Sequence, residues 1–295
     1  MNGKQKLTDF SHDTYQRTIT KLNERIYHFL AFGHSNAIAI IGDTSVIMVD
    51  TLDSPSYAQD LMQELAKITD KPVRTVIYTH GHPDHRGGAG AFRDTVQEVI
   101  AFSPAHKPMQ FFDALGDITM KRGVRQFGIE LTDEETISQG IGIREGYAVG
   151  KQPYDFLPPT TLYTEDSVER TIDGVRLLLK RAPGEMDDEI FAWLPDDNVM
   201  CCADNYYACW PNLYAIRGTQ YRDVAAWVDA LDDILSYSPE VLLPGHTKPL
   251  IGSAPTRYAA RTADTTLSPV PANWIKRLTI AWKTSVNNFA DACRS

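Results

Sequence analysis

The stretch Thr79-His80-Gly81-His82-Pro83-Asp84-His85 decides the fold, because it places three imidazoles and one carboxylate within six consecutive positions. His80 and His82 are two positions apart, so an extended backbone directs both rings to one side. The turn at Pro83 lets Asp84 and His85 point elsewhere. Neutral imidazoles and carboxylates are zinc ligands, and a catalytic site built from them keeps one position for water. The run therefore predicts a site for two metal ions, against the alternative of a polar surface loop rich in histidine.

The segments on either side of this run alternate between strand and helix patterns. Short apolar runs bounded by glycine and polar residues predict strands, and apolar residues spaced by three or four predict helices. The predicted elements are a hairpin of strands at 36–41 and 45–49, a helix at 56–68, strands at 73–78, 175–179, 190–194 and 199–202, and a helix after the N-cap Asp223. The chain is therefore predicted to be of α/β class.

The run His80-Gly81-His82-Pro83-Asp84-His85 resembles the HxHxDH motif of the metallo-β-lactamase superfamily. The resemblance implies an αβ/βα four-layer sandwich, with metals at one edge between two sheets. It also implies a metal-bound hydroxide as nucleophile, a third ligand further along the chain, a bridging carboxylate after it, and a final histidine after a late strand. The matching residues are Glu185 in Pro183-Gly184-Glu185, Asp204 in Ala203-Asp204-Asn205, and His246 in Leu243-Pro244-Gly245-His246.

Glu185 narrows the resemblance, because many members of the superfamily carry histidine after this Pro-Gly. In the alkylsulfatase-like branch the ligand is a glutamate, followed by an acidic residue plus Asn, an Asn-Leu pair and an Arg-Gly. The chain has the same series as Asp204-Asn205, Asn212-Leu213 and Arg217-Gly218. It departs at Asp204, where those sulfatases carry the longer glutamate. The resemblance covers roughly residues 30–252.

The resemblance implies two Zn²⁺ ions and a ligand set for each. His80, His82 and Glu185 are assigned to the first ion, Asp84, His85 and His246 to the second, and Asp204 to the bridge. Two ions lower the pKa of a shared water from about 16 toward about 7, so hydroxide is present at neutral pH. The expected catalytic residues are Asp84 and Arg217, whose planar guanidinium matches two oxygens of a sulfate. Asn212 and Tyr214 are expected to add hydrogen bonds to the substrate. The alternative for Arg217 is an exposed loop arginine paired with an acid.

The predicted function is that of a zinc-dependent hydrolase of alkyl sulfate esters, with a small-molecule anionic ester as substrate. The nearer alternative is a hydrolase of the same superfamily that acts on a lactone, thioester or β-lactam. The alternative from another class is a metal-binding protein without turnover. The formal net charge is −9, from 29 basic and 38 acidic residues. Because the basic residues are scattered, nucleic acid is not an expected partner.

Length and composition suggest how the chain is divided. Residues 1–252 are predicted to form the catalytic domain. Within it, a segment rich in glycine and aromatic residues at about 107–165 is predicted to be an inserted lid, with a plain surface excursion as the alternative. Residues 253–295 are predicted to form a linker plus a helix. This tail is too short for the two further domains that larger alkylsulfatases carry, so the chain is either a minimal form or a truncated one.

The sequence also bears on location and assembly. No stretch approaches twenty uninterrupted apolar residues, and the first residues lack the apolar core of a signal peptide. We therefore expect no transmembrane segment and a cytoplasmic location. A homodimer is compatible with the sequence, which does not fix the oligomeric state.

Overall fold

The chain builds two β-sheets that pack face to face. The structure is a computed structural model that describes residues 2–106, 115–132, 134–209, 211–218 and 222–252. The first sheet contains β1 Thr18–Lys21, β2 Ile26–Leu30, β3 Ala37–Ile41, β4 Val46–Val49, β5 Val73–Ile77, β6 Glu98–Phe102 and β7 Thr161–Tyr163. These strands follow chain order, antiparallel from β1 to β4 and parallel from β4 to β7. The predicted hairpin is confirmed as the β3–β4 pair.

The second sheet comes from the later part of the chain. It contains β8 Ser167–Ile172, β9 Val175–Arg181, β10 Ile190–Leu194, β11 Val199–Ala203, β12 Val241–Pro244 and β13 Leu250–Ile251. The spatial order is β13-β12-β11-β10-β9-β8. All neighbours are antiparallel except β11 and β12, which run parallel. The strands predicted at 175–179, 190–194 and 199–202 are confirmed as β9, β10 and β11.

Helices cover the outer face of each sheet. The described helices are α1 Gly3–Thr14, α2 Pro55–Leu65, α3 Pro83–Arg86, α4 Gly116–Gln126 and α5 Val224–Ser236, with 3₁₀ turns at Ala89–Phe92 and Gly146–Val149. The predicted N-cap is confirmed, since the Asp223 carboxylate accepts from the backbone N–H groups of Ala225 and Ala226. The helix predicted at 56–68 is confirmed as α2, which begins at the N1 proline Pro55 and ends three residues earlier than predicted.

The core has three apolar layers because most strands are buried on both faces. In β3, Ile38 and Ile40 belong to the layer between the sheets, whereas Ala37 and Ala39 belong to the layer under α2. Leu61 of α2 is fully buried, which contributes about 1.5–3 kcal/mol. Trp227 of α5 is fully buried against the second sheet. The layer order of helix, sheet, sheet, helix confirms the predicted αβ/βα sandwich.

Two parallel strand pairs create one edge that collects polar loops. In the first sheet, β4 ends before Asp50 and β5 ends before the run from Thr79 to His85. In the second sheet, β11 ends before Asp204 and β12 ends before His246. Parallel strands place their carboxyl ends at the same edge, which is where open α/β sheets place ligands.

Two predicted segments are described only in part. The predicted lid at about 107–165 contains α4 and the 3₁₀ turn at Gly146–Val149, and its last part contains β7 of the first sheet. Residues 107–114 and 133 lie outside the described residues, as does the predicted tail at 253–295. Among the described helices, none has both the length and the apolar character that crossing a bilayer requires.

Candidate metal centre

The loops at the shared edge bring together the histidines of the first sheet. His80 Nε2 lies 2.9 Å from His82 Nδ1, and 3.8 Å from Asp204 Oδ2. The three residues offer ligand atoms that all lie within 4.8 Å of one another. His82 is the N-cap of α3 with an extended backbone, and its ring meets the His80 ring edge to face with centroids 4.7 Å apart. The first sheet thus presents two imidazole nitrogens, and the second sheet one carboxylate, to a common point.

A second cluster adjoins the first through Asp204. His85 Nε2 lies 3.5 Å from Asp84 Oδ2 and 3.4 Å from Asp204 Oδ1. His246 Nε2 lies 3.4 Å from Asp84 Oδ2 and 3.5 Å from Asp204 Oδ2. Asp204 belongs to both clusters, which agrees with the bridging position that the family resemblance implies for it. The predicted turn at Pro83 is the short helix α3, and it carries Asp84 and His85.

Asp50, at the end of β4, orients the histidine loop, and sequence analysis did not assign it this role. Its Oδ2 lies 2.7 Å from His85 Nδ1, and its two oxygens accept from the backbone N–H and the hydroxyl of Thr79. A partner at Nδ1 fixes the ring so that Nε2 faces the site, as is usual for metal-binding histidines. The signal in the sequence was an acidic residue at the end of a strand parallel to β5.

Glu189 orients the ligand-bearing loops of the second sheet, and sequence analysis did not identify this role either. The side chain is fully buried. Its Oε1 accepts from the backbone N–H of Asp204 and from the Asn205 amide, and its Oε2 accepts from the backbone N–H of Glu185. One carboxylate therefore joins the two loops that carry Glu185 and Asp204. The run Asp187-Asp188-Glu189 is typical of a charged surface turn, so nothing in the local pattern indicates that Glu189 is buried.

Two of the buried ligand atoms have no hydrogen-bond partner within the part of the chain that the structure describes, which indicates a site for divalent cations. Among the described residues, His85 Nε2 and Asp204 Oδ1 are buried polar atoms without a hydrogen-bond partner. Burial without a partner costs free energy, and a metal ion would satisfy both atoms. Nitrogen and carboxylate oxygen donors in this proportion suit Zn²⁺. The residues present therefore fit the ions that the sequence predicts.

The electrostatics of the site agree with this fit. Burial lowers the pKa of His82 to about 3, which keeps its ring neutral for metal binding. Burial also lowers the pKa of His246, but the carboxylates of Asp204 and Asp84 outweigh it and raise the value to about 10. The carboxylates thus create a strongly negative potential at the second cluster, which a divalent cation would neutralise.

Glu185 stands apart from the other six predicted ligands. Its Oε2 lies 3.7 Å from His82 Nδ1, but the described clusters do not include it. Arg222 pairs with the same oxygen at 2.7 Å, and the Tyr207 hydroxyl donates to Oε1 at 2.7 Å. Both partners are buried, so the carboxylate is held beside the first cluster rather than inside it. Its role as a third ligand stays a prediction.

The two clusters open into a cavity of about 150 Å³. Asn212, Arg217 and Arg222 line it together with His82, Asp84, Glu185, Asp204 and His246, and His34, Glu145 and Tyr154 also line it. The Arg217 guanidinium lies over the Phe127 ring at 5.2 Å, and its backbone N–H donates to the Gln126 side chain. The structure thus places Arg217 and Asn212 in the same cavity as the predicted ligands.

Tyr214 lies outside this cavity. It is 64% exposed and lines a neighbouring groove of about 660 Å³. Phe127, Ile141 and Asn212 line both spaces, so the groove adjoins the metal cavity. The predicted role of Tyr214 in substrate binding stays a prediction, and its side chain lies in the groove rather than at the predicted ligands.

Comparison with known proteins adds a family and several relatives. The family model described as the metallo-beta-lactamase superfamily matches residues 30–246. A linear primary-alkylsulfatase from Pseudomonas sp. (strain ATCC 19151) is 31% identical over 215 residues, which are 70% of this chain and 40% of that protein. The alpha subunit of a 2,4-dinitroanisole O-demethylase from Nocardioides sp. (strain JS1661) is 41% identical over 222 residues, which are 72% of this chain and 53% of that subunit.

The solved structure of the stereoselective inverting sec-alkylsulfatase Pisa1 from Pseudomonas sp. has a similar fold. The TM-score is 0.68 at 23% identity, and the match covers 80% of this chain and 39% of that one. At this identity the likeness concerns the fold alone. The chain spans about two fifths of the length of the alkylsulfatases that it matches.

Proposed function

The chain belongs to the metallo-β-lactamase superfamily, and from that premise we propose that it is a zinc-dependent hydrolase of alkyl sulfate esters. The observation that carries this proposal is a guanidinium that lines the metal cavity and has no acidic partner among the described residues. Within the described part of the chain, Arg217 has no carboxylate at salt-bridge distance, whereas the neighbouring Arg222 is paired with Glu185. A lining guanidinium without a counter-ion favours an anionic substrate.

The proposed ions are held by the seven predicted residues. The ligands of the first ion are His80, His82 and Glu185. The ligands of the second ion are Asp84, His85 and His246, and Asp204 lies between the two ions. When bound, two Zn²⁺ ions supply Lewis acidity and lower the pKa of a water molecule. The protein orients the ligands through Asp50 and Glu189 and keeps the site buried on the sheet side.

Arg217 holds the anionic group in this proposal. Burial lowers the pKa of Arg217, and so does the charge of Arg222, yet a guanidinium stays protonated in proteins. The guanidinium carbon lies 5.2 Å from the Phe127 ring centroid, within the range of a cation–π contact that holds the group at the cavity wall. Asn212 is held in place because its backbone N–H donates to the Tyr207 hydroxyl at 2.7 Å. These contacts support a clamp that is formed before the substrate arrives.

The groove beside the cavity supports an alkyl tail. Its apolar lining includes Leu131, Ile137 and Ile216, in addition to Phe127 and Ile141 at the junction with the cavity. Burial of each methylene group contributes about 0.8 kcal/mol, so a chain of several carbons adds substantial affinity. The cavity suits the sulfate group of such a substrate, and the groove suits its alkyl tail.

The test is hydrolysis of a medium-chain alkyl sulfate by the zinc-loaded protein and by Arg217→Gln. We expect kcat/KM to fall about 10- to 100-fold in the variant, the size of one or two charged hydrogen bonds, with zinc content unchanged. Arg176→Gln is the matched control, because Arg176 is exposed and paired with Asp196. Full sulfatase activity in Arg217→Gln would refute the clamp, and no hydrolysis by the zinc-loaded wild type would refute the function.

A second candidate is cleavage of an alkyl aryl ether. The observation that favours it is the 41% identity to the alpha subunit of a 2,4-dinitroanisole O-demethylase. Such a substrate is uncharged, so Arg217→Gln should leave its turnover unchanged. A panel of an alkyl sulfate, 2,4-dinitroanisole, a lactone, a thioester and a β-lactam separates the candidates. Turnover of the ether without turnover of the sulfate would replace the first proposal by the second.

A further inference from the structure

The cavity contains one histidine that the predicted ligand set does not use. We propose that His34 is a further ligand of the second metal ion, beside Asp84, His85 and His246. The proposal rests on the metal centre of the proposed function but not on its substrate. It is carried by the placement of the His34 ring, by the contacts that hold it there, and by its likeness to the two assigned histidines.

His34 offers a ligand atom to the same point as Asp84 and His246. One ligand atom from each of these three residues lies within 4.8 Å of the other two. The His34 and His246 rings meet edge to face with centroids 5.3 Å apart. His34 Nδ1 lies 2.8 Å from the carbonyl oxygen of Ile143, which makes Nδ1 the protonated nitrogen. The remaining nitrogen, Nε2, is therefore the one with a lone pair.

The same arrangement holds at the two assigned histidines of this ion. His85 Nδ1 is bound by the Asp50 carboxylate, and His246 Nδ1 lies 2.9 Å from the carbonyl oxygen of Ile141. In both, Nε2 lies within 3.5 Å of Asp84 Oδ2. A ring whose Nδ1–H is anchored and whose Nε2 faces a carboxylate cluster is the usual form of a metal-binding histidine. His34 shares the anchored Nδ1 and belongs to a ligand group with Asp84 and His246.

The backbone around His34 is held from several directions. Its N–H donates to Asp53 Oδ1 at 2.8 Å, and the other oxygen of Asp53 accepts from the Gly146 N–H. The His34 carbonyl oxygen lies 3.1 Å from His246 Nδ1. A Cβ at Gly142 would overlap that carbonyl oxygen, so only glycine allows the segment to pack there. These contacts fix a buried ring at the cavity wall and tie it to the segment of residues 141–146.

His28 shows what a packed core histidine looks like in the same fold. It is fully buried in β2, and burial lowers its pKa to about 3. Neither His28 nitrogen has a hydrogen-bond partner among the described residues, and the ring does not line the metal cavity. His34 is buried as well, but it lines the cavity, has an anchored Nδ1 and belongs to a ligand group.

The consequence is an asymmetry between the two ions. An added neutral imidazole gives the second ion one more donor without changing the net charge of the ligand set. The first ion, by contrast, shares Glu185 with Arg222 and Tyr207. We therefore expect the second site to bind zinc more tightly and to fill first.

The decisive measurement counts coordinated imidazoles in the 295-residue chain loaded with an NMR-active cadmium isotope and labelled with nitrogen-15 histidine. Coupling between cadmium and nitrogen appears only for a coordinated ring. The proposal expects five coupled rings, namely His34, His80, His82, His85 and His246. Four coupled rings would overturn it. This count needs no variant, so it stands whether or not a substitution at 34 folds.

A variant identifies the fifth coordinated ring and measures how much it contributes to zinc affinity. His34→Gln should lose one coupled ring and weaken only the second zinc site, by 10-fold or more in a chelator competition, because even outer contacts to ligands are worth 10- to 100-fold. His12→Gln is the matched control, since that histidine is exposed on α1. Unchanged affinity at both sites would overturn the proposal. Five coupled rings without sulfatase activity would refute the proposed substrate and leave His34 as a ligand.

Discussion

The two sheets supply their halves of the metal centre in different ways. The first sheet carries His80, His82, Asp84 and His85 on one loop after β5, and Asp50 from the neighbouring strand holds that loop. The second sheet supplies Glu185, Asp204 and His246 from three separate loops, and Glu189 joins only the first two. The first half is therefore a local structure, whereas the second exists only once the sheet has formed.

This difference explains why Glu185 lies beside the two ligand clusters and not within them. A contiguous loop fixes the relative positions of its side chains through a short stretch of backbone. A side chain from a separate loop depends on whichever partners the tertiary structure provides, and Arg222 and Tyr207 hold the Glu185 carboxylate. The half from the second sheet is thus the more adjustable half of the site.

The largest effect should come from the residue that joins the two halves. Asp204→Asn removes the charge that faces both clusters, so we expect both zinc sites to weaken by more than about 100-fold, beyond the 10- to 100-fold typical of outer contacts. Elemental analysis after dialysis against a chelating buffer measures this. Asp196→Asn, at an exposed carboxylate of the second sheet, is the control. Two retained ions in Asp204→Asn would show that the halves are independent.

An intermediate effect should separate the two supporting carboxylates. Asp50→Asn should weaken mainly the ion held by His85, by about 10- to 100-fold. Glu189→Gln should weaken both ions through Glu185 and Asp204, and should also lower the free energy of unfolding by about 1–3 kcal/mol, because its amide faces a backbone N–H donor. Two-site zinc titration and urea unfolding measure these changes.

Glu169→Gln, on the exposed face of β8, is the control for the glutamate variant. If Glu189→Gln weakened only one site, the two loops would not share this carboxylate in solution. Equal zinc affinities in Asp50→Asn and the wild type would show that Asp50 does not orient the histidine loop of the first sheet.

The sequence predicted most of what depends on local pattern. The run from His80 to His85 carried its own spacing, the apolar runs predicted β3, β4 and β9 to β11, and Asp223 was recognisable as an N-cap. These features follow from neighbours in the chain, so the pattern alone was sufficient to find them.

The rest depends on contacts between distant segments. Asp50, Glu189 and His34 act through partners that are far away in sequence, such as the carbonyl of Ile143 for His34. For Asp50 the chain offers only its position at the end of a strand. Nothing adjacent to Glu189 distinguishes it from a surface acid, and nothing adjacent to His34 distinguishes a ligand from a lone histidine. Only the register and packing of two sheets bring these groups to the site.

The smallest effect should come from the contact that joins the two sheets at the opposite end of β4. Asp173, in the β8–β9 turn, accepts from the backbone N–H groups and hydroxyls of Thr44 and Ser45 in the β3–β4 turn. Backbone hydrogen bonds from Thr44, together with the side chain of Ser45, lower the pKa of Asp173 to about 2. Because the Asp173 side chain is partly open to solvent, Asp173→Asn should cost no more than about 1 kcal/mol at neutral pH.

The sign of the pH dependence follows from that lowered pKa. A folded value of about 2 below an ordinary value of 3.8 means that the stabilisation is complete above about pH 3.8 and disappears as the pH falls through about 2. The difference in urea midpoint between wild type and Asp173→Asn should therefore shrink on acidification, while the exposed Asp70→Asn control shows no such trend. A constant difference would mean that the hydroxyl and amide contacts, rather than the charge, join the sheets here. Zinc affinity should stay unchanged in Asp173→Asn, because this turn lies at the end of β4 away from the metal loops.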